Sequence, residues 1–126
     1  MKITDLKPTI VWKFFHQVTQ VPRPSKKEGK MIEFLESFAK EYKIAIKKDQ
    51  AGNLLMSKPA TPGMEDRPVV VLQSHMDMVC EKNNGTKHDF DNDPIETIVD
   101  GEWLRANGTT LGADNGIGVA AELALL

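Results

Sequence analysis

A chain of 126 residues and 14.0 kDa is long enough for one modest core, with roughly two-thirds of its extended surface buried on folding. With 40% apolar and 27% charged residues and a negative mean hydropathy it has the composition of an ordinary globular chain, and no apolar run approaches the roughly 18 residues that a membrane span needs. Cys80 is the single cysteine, which excludes an internal disulfide framework and any zinc site built on paired cysteines. The opening MKITDLKPTIVWKFF lacks the pattern of a secretory signal, so a cytoplasmic location is expected and no membrane partner. The formal charge of −2 conceals an asymmetry: residues 1–60 carry 12 Lys and Arg against 6 Asp and Glu, whereas residues 61–126 carry 4 against 12. The basic half has no aromatic interleaving and no reading motif, so no nucleic-acid partner is expected. The acidic half holds two of the three histidines, a composition that points to a divalent cation.

In chain order, Ile10, Val11, Phe14, Phe15 and Val18 recur at helical spacing after Pro8, which suits a first turn, and predict a helix from Pro8 to about Thr19. His16 lies off that apolar stripe and reads as solvated. VPRPS interrupts, and Ser25 with Glu28 three residues later forms a capping-box pattern for a second helix with Met31, Leu35, Phe38 and Tyr42 on one face. Ile44 to Lys47 and Asn53 to Ser57 alternate like the two arms of a hairpin. After the breaker-rich PATPGMEDRP, the run Val69 to Leu72 reads as a strand buried on both faces at the centre of a sheet. Glu96 to Val99 and Glu102 to Arg105 flank Asp100-Gly101, a strong hairpin signal. Asn115 to the end, rich in Ala and Leu, reads as a helix entered from a glycine-rich turn. The expected fold is α/β, a mixed β-sheet flanked by helices. The final AELALL has neither a C-terminal cap nor a polar tail, and a strand buried on both faces needs more neighbours than this chain holds. Residues 1–126 are therefore expected to be the N-terminal portion of a longer protein.

Two constellations carry chemistry. In LQSHMDMV, residues 72–79, His75 and Asp77 follow the C-terminal end of the apolar run, where open α/β sheets bind ligands. Side chains two apart on extended backbone share a face, so one imidazole nitrogen can bind a metal while Asp77 orients the ring through the other. The alternative is a structural His-Asp hydrogen bond. In GTTLGADNGIG, residues 108–118, Asp114 sits among four close glycines before a helix, in an order that matches neither a P-loop nor a dinucleotide fingerprint. Its carboxylate can bridge two cations about 3.5 to 4 Å apart, or can simply cap the helix. Asp89, Asp91 and Asp93 imitate the opening of a calcium loop, but Pro94 stands where that loop needs glycine. Cys80 reads as a buried small residue, and His88 as a solvated loop residue within reach of a substrate.

PRPSKKEGK, LQSHMDMVCEKN, HDFDNDPI and GTTLGADNGIG together, and in this order, resemble segments of the aminoacyl-histidine dipeptidases, within the co-catalytic zinc exopeptidases. The resemblance spans nearly the whole chain from about Phe14. It implies that His75 ligates one zinc, that Asp77 is the catalytic-site carboxylate that orients it, and that Asp114 bridges two zincs. It further implies hydrolysis of a small dipeptide of the Xaa-His kind, with a glutamate as general base, and leaves a homodimer of the full-length protein open. That family also uses an adjacent Glu-Glu pair, which occurs nowhere in this chain, and Glu122 is only eight residues past Asp114. The chain alone is accordingly expected to bind zinc weakly and to be inactive. Other readings are a deacylase or tripeptidase of the same clan, and a non-catalytic module that holds a cation or a basic partner.

Overall fold

The computed structural model describes all of residues 1–126. A single 3-10 turn at Ile3–Asp5 precedes helix α1, Thr9–Thr19, whose N-cap is Pro8. The later part of the predicted stripe buries, Phe14, Phe15 and Val18 facing inward together with Thr19, whereas Val11 is half-buried and Ile10, in the first turn, is exposed. Helix α2, Gly29–Glu41, turns Met31, Leu35, Phe38 and Ala39 to the same interior. Helix α3, Ala113–Leu125, closes it with Val119, Ala120 and Leu123. Ten side chains, including Ile3, make the core, and α1 lies directly against α3. Aromatic edges meet faces inside it, Phe14 on Phe38 with ring centres 5.5 Å apart and Trp12 on Phe15 at 6.0 Å.

Both predicted hairpins form. Strands β1, Ala45–Lys48, and β2, Leu54–Ser57, pair antiparallel with Lys48 opposite Leu54. Strands β3, Thr97–Asp100, and β4, Trp103–Ala106, pair with Asp100 opposite Trp103, so the turn residues are Gly101 and Glu102. Gly101 takes φ +60°, the left-handed geometry a two-residue hairpin turn demands. Alternation decides what each strand contributes: Leu54, Met56 and Leu104 pack against the core while their neighbours face water. The α/β class expected from the sequence is borne out as three helices with two small antiparallel sheets. No helix is long and apolar enough to cross a membrane.

Three local expectations are corrected. Val69, Val70, Val71 and Leu72 form no strand and are 89, 79, 79 and 52% exposed: the two sheets are the β1–β2 and β3–β4 hairpins, and this run pairs with neither. Apolar composition states a preference for burial; it cannot supply a ladder partner. The capping box at Ser25 is also not made. The N-cap of α2 is Glu28, whose side chain accepts a hydrogen bond from the Lys26 amide, and the Ser25 hydroxyl is used elsewhere. His16, read as solvated, is half-buried on α1.

Candidate functional site

The segment that follows the apolar run is held from below by the Pro-Arg-Pro-Ser stretch. Met78 donates its amide to the Arg23 carbonyl at 3.0 Å, and Pro24 and Met78 form an isolated parallel bridge. This pins residues 75–78 beside the first turn of α3. That turn is irregular: Gly112 caps it at φ +74°, Asp114 and Asn115 depart from helical angles, and regular helix runs from Gly116. Asp114 makes no cap hydrogen bond. Its carboxylate is directed away from the helix and is 95% exposed.

The three residues singled out in the sequence come together in one line. His75 Nδ1 lies 3.0 Å from Asp77 Oδ1, and His75 Nε2 lies 3.0 Å from Asp114 Oδ1. The Asp77 carbonyl also lies 3.1 Å from Nδ1. The second Asp77 oxygen accepts the Ser25 hydroxyl at 2.5 Å. Ionised carboxylates only accept, so both ring contacts are hydrogen bonds at once only when the imidazole carries two protons. Electrostatics agree: slight burial pulls the His75 pKa down, but the hydrogen bond to Asp114, the Asp77 carbonyl and the two carboxylate charges outweigh it, and the net shift is upward from 6.5. The Ser25 hydrogen bond, against burial and with help from the His75 charge, holds Asp77 below the usual carboxylate range.

Because the folded imidazole binds its proton more tightly than the unfolded one, its contribution to stability is present below pH 6.5 and fades as pH rises through the raised folded value. Titration of the metal-free protein by imidazole NMR should place His75 above 6.5, and Asp114→Asn should bring it down. A value at or below 6.5 in the parent would mean that the Nε2 contact is not made.

Elsewhere the titratable groups have other employment. Cys80 is half-buried, its thiol directed to the Met78 carbonyl and pushed up in pKa by burial, so it stays protonated rather than nucleophilic. His88 is half-buried, with its ring edge-on to Phe90 at 4.5 Å. The aspartate run closes on itself: Asp89 accepts from the Asp91 amide and the Asn92 side chain, and Asp91 pairs with Lys27 at 2.9 Å. Glu122 accepts the Ser74 hydroxyl at 2.7 Å. No group of three or more His, Cys, Asp or Glu side chains able to hold a metal is present. At the site, Arg23 was not singled out in the sequence and Ser25 was read only as a helix cap, although the interrupting prolines marked their segment as special.

No family model matches the chain. It is 50% identical over 125 residues to the cytosol non-specific dipeptidase of Escherichia coli strain K12, covering 99% of this chain and 26% of that protein. Among solved structures, an aminoacylhistidine dipeptidase from Vibrio alginolyticus superposes with a TM-score of 0.96 at 48% identity, again over 99% of this chain and 26% of the other. A tripeptidase from Staphylococcus aureus matches with a TM-score of 0.73 over 92% of this chain and 30% of its own, and at 22% identity that likeness concerns the fold alone. The chain thus spans about a quarter of the length of the relatives it matches. The resemblance to aminoacyl-histidine dipeptidases, and to their N-terminal part, is borne out.

Proposed function

We propose that residues 1–126 are the N-terminal portion of the catalytic domain of a cytosolic, zinc-dependent dipeptidase that prefers Xaa-His dipeptides. The observation that carries this reading is the Asp77–His75–Asp114 line, in which each ring nitrogen meets a carboxylate oxygen at 3.0 Å. Support comes from the names of relatives at 48 and 50% identity, both dipeptidases, over 99% of this chain.

The donor set fits zinc. Two ligands of a tetrahedral zinc stand about 3.3 Å apart for bonds near 2 Å, close to the 3.0 Å between Nε2 and the Asp114 oxygen. An imidazole and a carboxylate are borderline and hard donors, as zinc accepts. His75 would hold one ion through Nε2, and the exposed Asp114 carboxylate would share two. Bound zinc supplies Lewis acidity to a peptide carbonyl and acidity to water. Asp77 keeps the Nδ1 proton and therefore the ring's orientation and tautomer, while Ser25 keeps Asp77 ionised and in place. One histidine and one shared carboxylate do not fill two coordination shells. The remaining ligands and the general base are assigned to polypeptide outside residues 1–126, and this chain alone is taken to be inactive.

The test uses the full-length protein, stripped of metal and reconstituted with zinc, on His-ending and other dipeptides, beside residues 1–126 titrated calorimetrically with zinc. Zinc-restored hydrolysis that favours a C-terminal His and is lost in His75→Ala, with weak zinc binding by the short chain, is the expected result. Hydrolysis only of acylated amino acids, or of nothing, would overturn the dipeptidase reading. Submicromolar zinc affinity of the short chain, abolished by His75→Ala, would overturn the assignment of the missing ligands.

A further inference from the structure

Beneath the His75–Asp114 pair lies a cation that the chemistry above does not use. Arg23 is 1% exposed and forms no salt bridge; its two terminal nitrogens donate to backbone carbonyls from two separate segments, while Nε is buried without a partner. Nη1 donates to the carbonyls of Met76 at 3.1 Å and Asp77 at 3.3 Å, and Nη2 to that of Gly112 at 2.7 Å. One planar fork thus joins the segment that carries His75 to the turn that carries Asp114. The turn is shaped to receive it: a Cβ at Gly112 would stand 2.5 Å from Nη2, and one at Gly116 would stand 2.7 Å from it. Two residues on, Ser25 holds Asp77 by its hydroxyl and also reaches the Met78 carbonyl at 3.4 Å. Burying a guanidinium without a carboxylate is costly. A hydrophobic side chain would fill the same space but could not fix the separation of two carbonyl-bearing loops.

We propose that Arg23 and Ser25 are positioning residues: Arg23 sets the distance between the His75 and Asp114 backbones, and Ser25 sets the orientation of Asp77, so that the metal site is preformed. This rests on the zinc reading above. The geometry favours arginine over lysine, because a single ammonium cannot donate along three fixed directions from one plane. It also gives Gly112, at the N-cap of α3, and Gly116, inside the helix, a purpose apart from any ligand, since their missing side chains make the socket for the guanidinium.

The experiment compares the full-length parent with Ser25→Ala, Ser25→Thr and Arg23→Lys. It measures zinc affinity by chelator competition, the visible spectrum of the cobalt-substituted protein, and kcat and KM separately. Ser25→Ala should weaken zinc binding about tenfold, the low end for partners of a ligand's own support, shift the cobalt bands and lower kcat with KM unchanged. Ser25→Thr should restore all three. Arg23→Lys should alter the cobalt bands and weaken zinc binding at least as much. If it fails to fold, the Ser25 pair decides. Parent-like affinity and spectra in Ser25→Ala and a folded Arg23→Lys, or no rescue by Ser25→Thr, would overturn the inference while leaving the zinc reading intact. A parent that binds metal but cleaves no dipeptide would sink the dipeptidase reading alone, because affinity and spectra still decide this one. A parent that binds neither zinc nor cobalt would sink both.

Discussion

Replacing Asp114 with Ala in the full-length protein is expected to lower kcat/KM for dipeptides by about a thousandfold, the equivalent of about 4 kcal/mol of lost transition-state stabilisation. The size follows from what the carboxylate does and does not do in the fold. It caps nothing, packs against nothing and is 95% exposed, so its removal leaves the helix and core as they are. Its one protein contact is His75 Nε2. In the proposed site it is the group shared by both ions, so both lose a ligand together. Asp77→Asn should cost less, about 10- to 100-fold, because Asp77 acts on the ring and not on the ion. Steady-state kinetics with zinc counting checks both. An Asp114→Ala protein that keeps two zincs and turns over within tenfold of the parent would remove Asp114 from the site.

How much of this was legible beforehand depended on whether the relevant interaction was local. The helix faces were readable because a 3.6-residue period records which side is buried, and Phe14, Phe15, Val18, Met31, Leu35 and Phe38 are the buried residues of α1 and α2 that the stripes predicted. The second hairpin was readable because its turn chemistry is local, but the turn closes one residue later than Asp100-Gly101, on Gly101 and Glu102, because Asp100 pairs with Trp103. His75 and Asp77 were readable as a pair because two residues of separation on one strand-like segment put them on one side. Their convergence with Asp114, 39 residues on, is a product of α3 lying along α1, and no local pattern encodes that. The resemblance of four motifs supplied the association that spacing could not.

Ser25 shows the opposite failure, a correct local rule overruled. Serine followed three residues later by glutamate is a good cap in isolation. Here the hydroxyl has a stronger acceptor in the ionised Asp77, brought 52 positions along the chain to the same place, and charge-assisted bonds outweigh neutral ones. The same competition explains why Asp114 does not cap α3. Both polar side chains are withdrawn from helix termini and given to the site. Val69 to Leu72 fail for a different reason: burial on two faces is a statement about neighbours, and the sequence of one strand does not say where they are.

The core and the site meet at Phe15, and Phe15→Ala is expected to cost about 3 to 5 kcal/mol of stability, a large part of the roughly 5 to 15 kcal/mol that holds a typical domain together. The ring is 1% exposed and set edge-on against Trp12. Its Cε2 atom lies 3.1 Å from where a Cβ on Gly116 would stand, two residues after Asp114. Truncation therefore opens a cavity directly under the first regular turn of α3, and the surroundings cannot fill it without moving that turn. Phe38→Ala makes the comparison. Phe38 is 5% exposed and packs on Phe14 and Tyr42, within the α1–α2 contact. Both variants should lower the urea midpoint of the zinc-free protein by similar amounts, but only Phe15→Ala should also weaken zinc binding, because only that cavity lies beneath the helix start that carries Asp114. Equal zinc affinities in the two variants would show that the site is held by Arg23 and its carbonyls without help from the aromatic floor.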